Sequence, residues 1–202
     1  MLILGYDPGG AGNNGLAILD LRQEQPVAQT FTSDCVDDAF DWFAGHVDGV
    51  PDAVGIDTFL SWATGPSGWR PMDTILRDNH PAILHSVLSS NSAYGAMAIQ
   101  GVSLAMRLQQ HWPEIALNEA HPKVLYFALT NQQYAFDQPM VTWLLNQFIP
   151  ALDVEIANDH EWDALISAWA TWMGLTGQWN VNLMDGVPDL LLPAGPATYF
   201  WP

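Results

Sequence analysis

The sequence predicts an α/β domain, a mixed sheet flanked by helices, and three observations carry that reading. The first three strand candidates follow one another with only turns between them, as in an antiparallel meander. A helical segment then leads to another short apolar strand, the pattern of a βαβ crossover. Further short apolar strands and amphipathic helices alternate to the end of the chain, with no repeat and no linker to divide it.

Taken in order, Leu2-Ile3-Leu4 is apolar and continuous, as a central buried strand should be. Asp7-Pro8-Gly9-Gly10-Ala11-Gly12-Asn13-Asn14-Gly15 is a dense turn, after which Leu16–Leu21 reads as a partner strand and Val27–Thr32 as a third. From Asp37 to Val47 the period becomes helical: Ala39, Phe40, Trp42, Phe43 and Val47 share a face, with Ser33 or Asp34 as N-cap. Ala53–Asp57 is the fourth strand. Residues 61–80 are rich in Gly, Pro, Ser and Trp and read as an irregular loop, followed by a helix from about Ala93 to Gln110. Together they make an inserted loop and helical region at about 61–112 within a single domain spanning 1–202. Ile115–Glu119 is the fifth strand, closed by His121-Pro122. Met140–Ile149 reads as a short helix and Asp159–Gly174 as a long one, whose Asn158 and Glu161 have capping-box spacing. After Gly177 the chain reads as loop.

Composition narrows the class. At 202 residues, with 49% apolar residues, the chain has enough material for one core without cross-links. Cys35 is the single cysteine, which excludes an intrachain disulfide and fits a reducing cytoplasm. The N-terminus lacks a basic segment, and the longest apolar stretch, Ala164–Leu175, is broken by Ser167, Thr171 and Gly174, so a soluble cytoplasmic protein without membrane partners is expected. Asp plus Glu total 22 against 5 Lys plus Arg, a net charge of −17. Such a field repels phosphate backbones at long range, whereas clustered carboxylates attract a divalent cation. Of the 5 cations, Arg70, Arg77, Arg107 and Lys123 lie in the middle third of the chain.

Acidic residues at the ends of strands are the strongest chemical signal. Asp7, Asp57 and Glu119 each close a short apolar strand, and Asp163 lies near the start of a helix with Asp159 one turn earlier on the same face. Ligands gather where strands end in open α/β sheets. Hard oxygen donors favour Mg²⁺ or Mn²⁺ over Zn²⁺. Each acid also has a plainer use: Asp7 and Asp57 as turn formers, Glu119 as a strand-end charge, Asp159 as a partner of the helix dipole.

Motif order adds a resemblance. Gly5-Tyr6-Asp7-Pro8-Gly9-Gly10, Gly55-Ile56-Asp57, Asn118-Glu119-Ala120-His121-Pro122, Asp159–Leu165 and the terminal Tyr199-Phe200-Trp201-Pro202 resemble a family of predicted RNase H-like nucleases described as a domain of unknown function. That family lies within the RNase H-like, resolvase-like superfamily. The resemblance implies a five-stranded mixed sheet in the order 3-2-1-4-5 and a Mg²⁺- or Mn²⁺-dependent phosphodiester hydrolase, a nuclease with a two-metal site. Carried over by position, Asp7, Asp57 and Asp163 are the metal ligands. Glu119 joins them as a fourth catalytic residue, while His121, His160 and Asp159 support the site or transfer protons. Arg70, Arg77 and Lys123 are the candidate substrate contacts. Relatives carry a basic set near the site, and its thinness here favours single-stranded or structured nucleic acid over long duplex, with Trp62, Trp69 or Tyr94 supplying stacking.

Two other functions compete. One is a non-catalytic RNase H-like module that binds a nucleotide or a protein partner, in keeping with the acidity. The other is an actin-like ATP-binding protein, whose Asp-x-Gly phosphate turn Asp7-Pro8-Gly9-Gly10 matches, although such proteins need two lobes and this length supplies one.

Overall fold

The computed structural model describes residues 1–92, 95–148 and 150–202. Its main sheet has six strands in the order β3-β2-β1-β4-β6-β9. β1 (Leu2–Asp7), β2 (Asn14–Asp20) and β3 (Val27–Ser33) form the antiparallel meander. α1 (Val36–His46) crosses to β4 (Ala53–Ile56), which pairs parallel with β1. β5 (Trp62–Ala63), α2 (Pro71–Asn79), a 3₁₀ segment at Pro81–Ser86 and α3 (Gly95–His111) lead to β6 (Ala116–Glu119), parallel to β4. α4 (Pro122–Thr130), α5 (Gln138–Leu145) and α6 (Asp159–Leu175) follow. The short strands β7 (Val181–Asn182), β8 (Leu190–Leu191), β9 (Ala197–Thr198) and β10 (Phe200–Trp201) end the chain.

The first five sheet strands stand in the expected order, with β6 as the fifth. The sixth, β9, corrects the reading of the tail as loop: strands of two residues are too short to show a period, yet β9 pairs with β6 at Leu117 and Asn118. The segment 61–80 is likewise not all irregular. Pro71 fits the first helical position, where its missing N–H costs nothing, and Met72 and Leu76 give α2 a buried face. Pro122 opens α4 in the same way. α1 has Cys35 as its N-cap, without a side-chain bond, rather than Ser33 or Asp34, because β3 runs through Ser33. α5 begins earlier than expected, where the Asp137 carboxylate accepts from the Met140 N–H at 2.9 Å. Ala93 and Ile149, the expected ends of two helices, lie outside the described residues.

Alternation along the strands sets up the site. Leu2, Leu4, Tyr6, Val54 and Ile56 pack toward α1 and α3, while Ile3, Ala17, Leu19 and Ala53 pack toward α6. Continuing that second face, Gly5 and Gly55 are paired neighbours, and Asp7 and Asp57 are the next positions on it. α6 crosses this face on three glycines. A Cβ at Gly15, Gly5 or Gly55 would overlap the backbone carbonyl of His160, Ala164 or Ser167 respectively. Those three carbonyls lie along one side of α6, so the helix backbone rests directly on β2, β1 and β4. With no side chain between them, Asp163 comes down beside Asp7 and Asp57.

Candidate metal centre

Asp7, Asp57 and Asp163 each present a carboxylate oxygen, and those oxygens all lie within 4.8 Å of one another. Asp7 and Asp163 are buried and Asp57 is half-buried. Oδ1 of Asp163, on a residue 2% exposed, has no hydrogen-bond partner among the described residues. A buried carboxylate oxygen without a donor is costly unless a cation or water serves it.

Electrostatics agrees with geometry. Burial, then the charge of Asp57, holds Asp7 well above the usual carboxylate range. Burial, then Asp57 and Asp7, does the same to Asp163. Burial raises Asp57 from 3.8 to about 7, with Lys123 and His160 pulling it down and Glu119 pushing it up. Three acids that resist ionisation together are what a cation would relieve, and all the donors are hard oxygens suited to Mg²⁺ or Mn²⁺.

Two histidines flank the carboxylates. His160 Nδ1–H donates to Asp7 Oδ2 at 2.7 Å. His121 Nε2–H donates to the Ser86 carbonyl at 2.9 Å, which leaves Nδ1 as a lone pair 3.9 Å from Asp57 Oδ1. Burial pushes His121 down to about 4, so it is neutral and its contact with Asp57 is not an ion pair. Asp159, the first residue of α6, sits half-buried at the rim, and its charge is felt by Asp7 and Lys123. Asn158 caps α6 by accepting from the Glu161 N–H at 3.0 Å. The Glu161 carboxylate returns to the Ala157 N–H rather than to Asn158, and also accepts from Thr30 and Thr32.

Glu119 does not join the carboxylates. Its register partner is Ile56, so it shares the α1/α3 face, and Asn118 takes the α6 face, where it donates to Thr171 at 3.0 Å. Glu119 instead accepts from Arg70 at 2.6 and 2.7 Å and from the Leu60 N–H at 2.9 Å. Arg70, 1% exposed, also grips Asp73, so the expectation that it contacts substrate is corrected: it ties α2 to the end of β6. Arg77 donates to the Leu84 and Val87 carbonyls and lies over Trp69, bracing the 3₁₀ segment. Arg107 pairs with Asp37. Lys123, exposed at the start of α4, is the one expected substrate contact that faces the acids: burial of its stem lowers it, but Asp163, Asp57, Asp7 and Asp159 together raise it. Trp62 is half-buried in β5, and Tyr94 lies outside the described residues.

Two contributors were not expected. Tyr134 stands beside Asp163, which helps drive its hydroxyl far above the usual range after burial, and its ring carries the Lys123 ammonium at 5.0 Å. It lies in an aperiodic loop, where sequence pattern gives no signal. Asn14 locks the turn after Asp7: its Oδ1 accepts from Tyr6 Oη at 2.8 Å and the Gly9 N–H at 3.2 Å, and its amide donates to the Gly10 and Ser33 carbonyls.

This sheet order, with α6 laid across β1, β2 and β4, is an RNase H-like fold, and the acidic group sits at the strand ends of that fold. Among solved structures the chain is similar to one described as T. thermophilus RuvC in complex with Holliday junction substrate, at a TM-score of 0.50 and 12% identity, over 88% of this chain and 96% of that one. Likeness at that identity shows the fold alone. No protein-family model matches the chain, and no curated protein does. Among the described residues, no helix is long and apolar enough to cross a membrane.

Proposed function

We propose that this chain is a divalent-metal-dependent phosphodiester hydrolase, a nuclease of the resolvase-like kind and a divergent relative of the predicted RNase H-like nucleases its motifs resemble. One observation carries the reading: three carboxylates converge within 4.8 Å while a buried oxygen of Asp163 lacks a donor. The fold it shares with RuvC, a protein seen with a Holliday junction, supports a nucleic-acid substrate.

Asp7, Asp57 and Asp163 would hold Mg²⁺ or Mn²⁺, with two ions expected. An ion held there would supply Lewis-acid activation of water and offset charge on the phosphate. His160 fixes the Asp7 carboxylate through its 2.7 Å bond. The Nδ1 lone pair of neutral His121 is left free to accept a hydrogen bond, and would orient a water beside Asp57. Lys123 brings a positive charge to a phosphate approaching the acids.

The test is cleavage of labelled single strands, duplexes and junctions in Mn²⁺, repeated with Asp7→Asn and Asp163→Asn. Loss of cleavage in both variants is expected, and cleavage that persists unchanged in either overturns the assignment. The net charge of −17 favours a second reading, a non-catalytic module. Calorimetry showing no Mn²⁺ binding to the wild-type protein would favour that one.

A further inference from the structure

A cleft of about 400 Å³ opens beside Asp57, and the proposed reaction leaves it without a task. Asp57, His121 and Lys123 form the wall it shares with the acidic centre, and Phe59, Leu88 and Met97 supply its apolar surfaces. The Phe59 ring is held by the Arg70 guanidinium, 4.7 Å from its centroid. Leu88 follows the 3₁₀ segment and Met97 comes from the first turn of α3, so the cleft is built by the region between β4 and β6.

We infer that this cleft takes one unpaired nucleoside of the strand being cut, which makes the substrate single-stranded or frayed nucleic acid rather than continuous duplex. The inference rests on the proposed nuclease reading. The volume lies at the small-ligand end of binding pockets, enough for a base and sugar but not for a helix. The lining matches that occupant: apolar surfaces for the base faces, polar groups on the shared wall, and Lys123 where the adjoining phosphate would meet the carboxylates. A base inside a duplex reaches such a cleft only by leaving its stack, at a cost that an unpaired base does not meet. The charge agrees. With Arg70 buried, Arg77 bonded to backbone carbonyls, and Arg22 and Arg107 in surface ion pairs with Asp20 and Asp37, the chain has little to hold a long duplex backbone, and binding of one base must contribute more.

The experiment measures binding of a fluorescein-labelled single strand and a blunt duplex of the same sequence by anisotropy in Ca²⁺. Wild-type protein is compared with Leu88→Trp and Met97→Trp, which fill the cleft from its half-buried or exposed rim. The wild-type protein should prefer the single strand by roughly 10-fold, the scale of one stacked base. Both variants should lose that preference while keeping the wild-type Tm and calorimetric Mn²⁺ affinity. Unchanged preference in both variants, or a wild-type preference for duplex, overturns the inference. Failure of the nuclease reading shows elsewhere, as an absence of Mn²⁺-dependent cleavage of any strand, and leaves the binding comparison readable.

Discussion

Nδ1 of His121 stands 3.9 Å from Oδ1 of Asp57, and once Asp57 is ionised the two atoms are both hydrogen-bond acceptors. Because Nε2–H is committed to the Ser86 carbonyl and the ring is neutral, the pair is favourable only with a donor or a cation close by. His121→Ala should therefore weaken Mn²⁺ binding by about 10-fold, the usual effect of removing a group that supports metal ligands. Calorimetry checks this, and wild-type affinity in the variant would reduce His121 to a packing residue.

The same centre makes the metal-free protein sensitive to base. Asp7, Asp57 and Asp163 all bind protons more tightly in the folded chain than their ordinary values allow, Asp57 titrating at about 7 instead of 3.8. Raised folded values mean that stability is fully present below the ordinary value and is lost as pH climbs through the folded one. Without metal the Tm should fall between about pH 5 and about pH 8, by at least ~5 °C. Mn²⁺ should raise it more at the higher pH, where the ligands are ionised. Asp163→Asn should flatten the metal-free profile. A metal-free Tm that rises over this window would contradict the assignment of these shifts.

Gly55 lies under the Ser167 carbonyl, close enough that any Cβ displaces α6. Gly55→Ala should cost ~3 kcal/mol or more in chemical denaturation, at the upper end of overpacking. It should also lower metal affinity, since Asp163 rides on the displaced helix. Gly45, inside α1, has no heavy atom near its hypothetical Cβ, and Gly45→Ala should stabilise the fold by about 0.5–1 kcal/mol.

These contrasts show what the residues alone could reveal. The meander, the crossover and the acid at the end of each strand follow from alternation and turn chemistry, so Asp7 and Asp57 were legible. Asp163 was legible because a long amphipathic helix with a recognisable cap carries it. Glu119 misled for a definite reason: whether a strand-end acid faces one side of the sheet or the other depends on register, and only the Ile56–Glu119 pairing fixes that. Arg70 misled because a sparse arginine in a polar loop gives no sign that two carboxylates from distant positions will bury it. β9 and β10, at two residues each, exist only through their pairing partners.

The Arg70–Glu119–Asp73 group separates a structural acid from the three carboxylates proposed to hold metal. Glu119→Gln leaves a buried guanidinium with half its partners and should destabilise the fold by about 3 kcal/mol, as broken buried pairs do. Its Mn²⁺ affinity should nonetheless stay within a few-fold of wild type, because the side chain faces away from Asp57. Asp57→Asn should do the opposite, with near-wild-type or higher stability and much weaker Mn²⁺ binding. If Glu119→Gln abolished metal binding in a protein that melts as a folded domain, Glu119 would join Asp7, Asp57 and Asp163 in the ligand set.

Lys123 is the exposed cation set among the acids, and its contribution can be read from salt dependence. Each phosphate contact releases counterions and adds about 0.7 to the slope of log affinity against log salt for a single strand. Six to ten contacts would give a steep dependence, but a chain with 5 Lys plus Arg, with Arg70 buried and Arg22 and Arg107 in ion pairs, cannot make them. A slope near 1 is therefore expected for single-strand binding in Ca²⁺, falling by about 0.7 in Lys123→Gln. The substitution should weaken binding of every sequence alike, since an ammonium reads phosphate rather than bases. A slope of roughly 5 or more would reveal a basic surface that these pairings exclude, and a slope unchanged in Lys123→Gln would remove Lys123 from the substrate path.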